Sequence, residues 1–514
     1  MVHLKQIYEE HNRERSGHDR PFTWRTNRLC IRFLSMLSLL LTALVILPSC
    51  TVSPTTTYPV VSFTEASEQT SSLSGIEPTE TTSVSQGTTV IRVAAPISSQ
   101  TAKYLSLLFS AKKQGLFPKG ETGSTISSEF LLTIEPEFLV EAIQTPSTGA
   151  TYEMVESWRN DGISPDVIYV NSLSPFQNND RIIALNEYCA SVNSLTPDHI
   201  YPDMLATCYI GDFLYGIPYS ASAQILFWNQ EVTKASGWNF LPFSISLSDL
   251  NTISSGIAAL NPLPEEQTEQ ERFFTFLDPS QLLPFLPNAY DSKANWFVRE
   301  GSGFQFKSEA FRKTASFLQA YSVQDSFSVE ALTPEEHVQE FGNMDPRISG
   351  RVATWVGSSF DISYWSTALA NVTITKLPSE TQEKESPLAL TVYPLCVSSD
   401  TENPKLAAEF AAFLATDEDA VLLTERLEKR AGFIPVLSSE AVWRLVFENQ
   451  TYGDRLTEIK NDMDSAIYNP QTNQEEISQL IDIIIEKYGP RMILPDTEME
   501  QLLTDMSIES KQSI

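Results

Sequence analysis

Apolar positions along the chain follow two periods. Val90-Ile91-Arg92-Val93-Ala94-Ala95 reads as a short strand, and Ala102 to Phe109 reads as a helix behind it. Phe130 to Ile134 predicts a second strand. Asp166-Val167-Ile168-Tyr169-Val170 predicts a third, an apolar run suited to a strand covered on both faces. Strands separated by helical stretches predict an α/β fold with a parallel sheet and helices on its faces. Further along, Asn403 is placed to cap a helix with Pro404 at its first turn, and Leu406, Phe410, Phe413 and Leu414 share one face of it. Ser308 opens a similar helix with Phe311, Leu318 and Tyr321 inward. Ile477 to Ile485 predicts a last apolar helix before Pro490. No internal repeat interrupts this order.

The N-terminal fifty residues follow a different pattern. Arg25, Arg28 and Arg32 lead into an apolar run from Phe33 to Leu47, 15 residues long. A helix needs about 20 apolar residues to span a bilayer, so the run fits a signal-peptide core better. It ends in Leu47-Pro48-Ser49-Cys50, which resembles the bacterial lipobox, with proline at its second position as a departure from the common pattern. The resemblance implies a diacylglycerol thioether on Cys50 plus an amide-linked chain, the two anchors stable attachment requires. The alternative is an ordinary signal peptide or a signal anchor. Thr51 to Thr88 is mostly Ser, Thr, Glu, Pro and Gly, too polar to offset its ordering entropy, and reads as a disordered tether.

Composition narrows the function. The 514 residues include 65 acidic and 35 basic side chains, a formal charge of −30. That balance excludes phosphate-backbone binding and makes attraction to anionic headgroups through a basic patch unfavourable, so no nucleic-acid partner is expected. With 42% hydrophobic and 10% aromatic residues the chain can build large cores, and its length corresponds to two or three domains. After Cys50 the cysteines are Cys189, Cys208 and Cys396; a Cys189–Cys208 bridge with Cys396 left over, and three buried thiols, are both open readings. The histidines after the leader are His199 and His337, which gives no zinc spacing and no metal site.

Four passages carry a family resemblance. The first is Pro165 to Val170 running on to Ile183-Ala184-Leu185-Asn186-Glu187-Tyr188. The second, the most specific, is Leu214-Tyr215-Gly216-Ile217-Pro218-Tyr219-Ser220 through Ile225-Leu226-Phe227-Trp228-Asn229 to Ala235-Ser236-Gly237-Trp238. The third is Gly350 to Ser358 with Phe360-Asp361. The fourth is Pro404 to Ala415 followed by Arg430-Ala431-Gly432-Phe433-Ile434-Pro435-Val436. In this order they resemble the extracellular solute-binding proteins of ABC importers, in the family 1 group that includes maltose-binding protein. The resemblance implies a two-lobed α/β fold of the type II periplasmic-binding-protein kind, joined by crossing strands, with a cleft that closes on its solute by hinge rotation. It places the crossings near Tyr219–Gln224, near Leu390–Leu395 and after about Glu440. The implied division is 1–50 signal peptide, 51–88 tether, 89–221 and 394–440 lobe 1, and 222–393 and 441–514 lobe 2.

Cleft residues implied by position are Asn171 and Ser172 after the third strand, and Tyr219, Ser220 and Ser222 at the first crossing. Trp355, Ser359, Phe360 and Asp361 come from the third passage, and Phe433 from the fourth. Where the family often has tryptophan this chain has Phe360, which keeps a stacking face and loses an N–H donor. Each has a packing alternative: Tyr219 as a hinge residue, Trp355 turned into the core, Asp361 as a cap for a helix over Ile362–Trp365. Trp228 and Trp365 are expected in the core, while Trp296 could reach the cleft. Basic residues are scarce around these positions, with Arg351 taken as the nearest in sequence, which disfavours a strongly anionic solute.

The partners implied are a small polar solute, a carbohydrate first, ABC permease subunits, and the membrane through the lipid on Cys50, with the body a monomer on the extracytoplasmic face. No cofactor and no catalysis are expected. Gly115 and Gly120 have P-loop spacing, but Glu121 stands where the lysine should be. Glu265-Glu266 and Glu335-Glu336 are the acidic pairs a secreted glycoside hydrolase could use, and neighbours of this kind are usually solvated or capping. A sensor handing its signal to a membrane receptor would share the same fold and cleft.

Overall fold

In the computed structural model the described residues run from 89 to 468, apart from 190–194, 196–198, 262–270, 293, 295–306, 324–326, 382–383, 385–387 and 449, and include Gln501 and Thr504. The signal segment with Cys50, the tether, Glu265-Glu266, Trp296 and the expected helix at Ile477–Ile485 lie outside them. Among the described residues no helix is long and apolar enough to cross a membrane.

The strands are β1 (Val90–Ala95), β2 (Leu139–Gln144), β3 (Val167–Tyr169), β4 (Tyr209–Ile210), β5 (Phe213–Leu214), β6 (Ile217–Asn229), β7 (Phe274–Phe276), β8 (Val352–Ser358), β9 (Val372–Thr375), β10 (Ala389–Val397) and β11 (Ile467–Tyr468). Nine of them form one sheet of order β2-β1-β3-β10-β6-β8-β7, with β9 on β6 and β11 on β10. The helices used below are α1 (Ser99–Lys113), α2 (Ser128–Leu131), α3 (Glu309–Val323), α4 (Pro334–Phe341), α5 (Ile362–Ala368), α6 (Pro404–Thr416), α7 (Glu418–Glu428), α8 (Glu440–Phe447) and α9 (Gly453–Asn461).

The expected parallel sheet is found within each half. β2, β1 and β3 are mutually parallel, as are β7 and β8. The halves are joined by β6 and β10, which run antiparallel to each other from Ile217↔Leu395 to Gln224↔Ala389. One carries the chain outward and the other brings it back, so the sheet is mixed. Register slips between Tyr393 and Pro394, where proline lacks the N–H a ladder needs. Gly216 sits against this bulge; a Cβ there would come within 2.7 Å of the Pro394 side chain.

One expected strand is a correction. Phe130–Ile134 is not extended: Ser127 Oγ accepts from Phe130 N at 3.1 Å and starts α2 instead. The second strand is β2, paired from Val90↔Leu139 to Ala95↔Gln144. It is a half-exposed edge strand, so it lacks the apolar run that identifies β3. The helix expected at Ala102–Phe109 spans all of α1, started by Ser98, whose Oγ accepts from Thr101 N. Asn403 does occupy the cap position of α6, but its side chain makes no cap bond; Pro404 at the first turn sets the start.

Two apolar cores flank the crossing strands. Phe109, Phe138 and Phe410 meet edge to face at 5.1–5.7 Å on one side. On the other, Leu226 and Trp228 pack with Leu250, Phe311, Leu318 and Tyr321, so α3 turns inward the face its sequence predicts. α8 packs on α7. α9 then reaches the far side, where Arg455 donates to Ile374 O and Leu241 O. Cys189, Cys208 and Cys396 are buried and free, so the Cys189–Cys208 bridge is not formed.

Candidate functional site

The joint between the halves is built on the first residues of β6. Tyr219, Ser220 and Ser222 are buried, which obliges their hydroxyls to find partners. Ser220 Oγ lies 2.8 Å from the Tyr169 hydroxyl, which also donates to Ser147 O at 2.8 Å. Ser222 Oγ lies 3.3 Å from the Tyr393 hydroxyl. Burial pushes the Tyr169 hydroxyl well above the ordinary phenol range, so it acts as a neutral donor.

Aromatic rings close a circuit over this strand. Tyr169 meets Tyr219 at 5.6 Å and Tyr393 at 5.9 Å. Tyr393 meets Phe360 at 5.3 Å, and Phe360 meets Phe433 at 4.5 Å. Arg430 completes it, with its guanidinium 4.4 Å from the Phe433 ring centre and 4.7 Å from that of Tyr219. Arg430 Nε donates to Glu425 Oε1 at 2.8 Å, and both side chains are buried. Burial alone would lower the Arg430 pKa, but the adjacent Glu425 carboxylate outweighs it and holds the cation.

The loop after α7 delivers these side chains. Lys429 ends the helix in a left-handed conformation, and Gly432 has φ +74°. A Cβ on Gly432 would lie 1.8 Å from Ser359 O, so only glycine admits the approach. Gln450 pins the turn from both sides, accepting from Gly432 N and donating to Arg430 O. Ile434 then exchanges both backbone bonds with Ala221 of β6.

The expected cleft residues divide into two groups. Tyr219, Ser220, Ser222 and Phe433 are interior parts of the circuit, at 5% exposure or less. Ser359 is also buried: its hydroxyl donates to Gly432 O and accepts from Ala223 N, clasping the two halves. Trp355 is in the core, stacked on Phe227 at 5.8 Å and edge-on to Trp365 at 4.9 Å, so its alternation turns it inward. Trp228 is likewise internal, its indole N–H donating to Thr375 Oγ1 at 2.9 Å. The second group retains surface. Asn171 and Ser172 are half-buried after β3, Phe360 is half-buried beside Phe433, and Asp361 is exposed. Asp361 caps backwards: it accepts from Ser358 N while Ser358 Oγ accepts from Phe360 N, and it makes no cap bond to α5.

Sequence reasoning missed Tyr169, Tyr393, Glu425 and Arg430. Tyr393 had a signal, since it precedes the proline that breaks the returning strand. Arg430 lies three residues from Phe433 and is nearer the joint than Arg351, which pairs with Glu340 elsewhere. Its charge is taken up by Glu425 and two rings.

Solved structures resemble this arrangement over most of the chain. An ABC substrate-binding protein from Listeria monocytogenes in complex with cycloalternan covers 83% of this chain and 99% of its own, with TM-score 0.58 and 11% identity. The GacH receptor of Streptomyces glaucescens, described unliganded and with acarbose, covers 83% and 98% at TM-score 0.53 and 15% identity. UgpB from Mycobacterium tuberculosis, in complex with glycerophosphocholine, covers 83% and 100% at TM-score 0.54 and 13% identity. The fold is that of the two-lobed solute-binding proteins. No family model matches the chain, and no curated protein matches it in sequence.

A second polar cluster lies at the end of β7. Val329 and Glu330 donate backbone N–H groups to Phe276 O and Leu277 O, which sets the Glu330 carboxyl beside Asp278. Burial, and then the Asp278 carboxylate, pushes Glu330 up to about 9. Ser280 N and Oγ both donate to Asp278. Among the described residues no group of three or more His, Cys, Asp or Glu side chains could hold a metal ion.

Proposed function

We propose that the chain is the solute-binding lipoprotein of an ABC importer, tethered through Cys50 to the outer face of the cell membrane. It captures a small polar molecule, a carbohydrate by first choice, and hands it to permease subunits. The carrying observation is the joint: two crossing strands share one sheet, and the ring circuit over them includes half-buried Phe360, with Asp361 exposed beside it. Aromatic faces next to hydroxyls and carboxylates suit the C–H faces and hydroxyl groups of a sugar. The ligands of the similar structures, cycloalternan and acarbose among them, support a saccharide, while glycerophosphocholine keeps other polar solutes in the test.

In this reading lobe 1 comprises 89–221 and 394–440, lobe 2 comprises 222–393 and 441–514, and the monomer carries no catalysis. The hydrolase alternative requires carboxyls about 5–10 Å apart around the scissile bond. Asp278 and Glu330 instead lie within hydrogen-bonding reach of each other, and Glu336 serves the Thr333 capping box of α4. Thermal unfolding of the body from Thr89 against saccharides, glycerophosphodiesters and other polar nutrients tests the function. A solute at ~100 times its Kd adds roughly 2.7 kcal/mol, a clear shift. A selective saccharide shift without product supports the reading, silence across the panel removes carbohydrate, and product formation removes the binding role. The tether is tested by Cys50→Ser, which should release the protein from the membrane fraction. A sensor would keep the shift but leave solute uptake unchanged on deletion.

A further inference from the structure

We propose that Arg430 is a positioning residue that fixes the resting angle between the halves, and so the affinity for solute, by holding the Phe433 ring against Phe360. This rests on reading the joint as the solute site. Phe360 follows β8 of one half, Phe433 follows α7 of the other, and their 4.5 Å contact bridges the two. The Arg430 guanidinium packs over the Phe433 ring at 4.4 Å, and Arg430 is aimed by Glu425.

Arg430 does not contact the solute itself. The cavity it lines with Tyr219, Ser220, Glu425 and Phe433 has a volume of only about 10 Å³, room for one water. Arg430 Nη1 and Glu425 Oε2, which have no hydrogen-bond partner among the described residues, belong to residues lining that cavity. A saccharide is excluded from it by size, so any influence of Arg430 on capture passes through the rings. The guanidinium is essential to this role, because it lies over the rings of both Tyr219 and Phe433 while donating to Glu425.

Arg430→Lys separates positioning from general stability: lysine keeps the charge beside Glu425 but has no planar face to stack. Spin labels on exposed Leu116 and Val338, one in each half, report the distance distribution between halves by pulsed electron resonance without any solute. The expected result is a broadened or shifted distribution in Arg430→Lys, reproduced by Phe360→Leu and not enlarged in the double variant. A distribution identical to that of the parent overturns the proposal, as does additivity of the two variants. If the variant fails to fold, Glu425→Gln replaces it with the same expected and overturning results. Calorimetry with maltotriose supplies the second arm, with at least a tenfold weaker Kd expected in Arg430→Lys. If the parent protein does not bind maltotriose, that probe is removed from the carbohydrate reading, and the distance arm still decides the role of Arg430.

Discussion

The two ends of β6 solve burial differently. From Tyr219 to Ser222 the strand carries hydroxyls, and each is held by a directional bond or a cation. From Ile225 to Trp228 it carries apolar bulk, with Phe227 stacked on Trp355 and Trp228 inside the second core. Both ends are equally inaccessible to water. The apolar end holds by area and shape, which tolerate no large gap, whereas the polar end holds by a few oriented contacts that specify one geometry. Oriented contacts lie where β6 faces β10 and the 429–434 loop, at the junction of the halves.

Three substitutions test that contrast, in falling order of effect. Trp355→Ala removes the ring stacked on Phe227 and should cost about 4 kcal/mol in denaturant unfolding, as large-to-small changes at fully packed aromatics do. A loss below about 1 kcal/mol would mean the apolar end is not close-packed. Gly432→Ala combines a left-handed backbone with a Cβ driven into Ser359 O, and about 3 kcal/mol is expected. Because that clash lies between the halves, the spin-label distance should change too, unlike in Trp355→Ala. Tyr169→Phe leaves the Ser147 carbonyl short of its donor and the Ser220 hydroxyl short of its acceptor, at about 2 kcal/mol. A neutral outcome would show that the hydroxyl chain re-pairs.

The smallest effect is a pH slope away from β6. Glu330, at about 9 when folded against 4.5 ordinarily, keeps a proton that the unfolded chain releases. Its contribution is therefore complete below 4.5 and is lost as pH rises through about 9. Glu330→Gln should flatten that decline in melting temperatures measured from pH 5 to 9, with the gain over the parent largest at the alkaline end. An unchanged slope would show that the carboxyl is ionised in the fold.

A strand buried on both faces was readable because it is a continuous apolar run: β3 is found where the sequence places it, while the long β6 was placed only as the crossing the family resemblance implies. Edge strand β2 was not, since none of its positions is fully buried, and the Phe130–Ile134 run that replaced it is captured by a serine cap. At the joint, the family resemblance offered Tyr219, Ser220, Ser222, Ser359, Phe360 and Phe433 as cleft residues. It did not tell which were interior, because that depends on partners far away in sequence: Tyr169, Tyr393 and Arg430. Arg430 was hidden for a further reason. An arginine in a sequence reads as a solvated charge, and only the fold reveals the carboxylate and rings that desolvate it.

The shared strands also impose an order on how the molecule comes into being. β3 is complete early in synthesis, yet its neighbour β10 pairs Val397 with Val167 only after the whole intervening half has been made. Until then the open edge of β3 has no native neighbour, and forming that pairing requires closing a very long loop, which is slow. The connectivity that lets two halves share a sheet keeps the nascent chain from completing that sheet until its second half has been made.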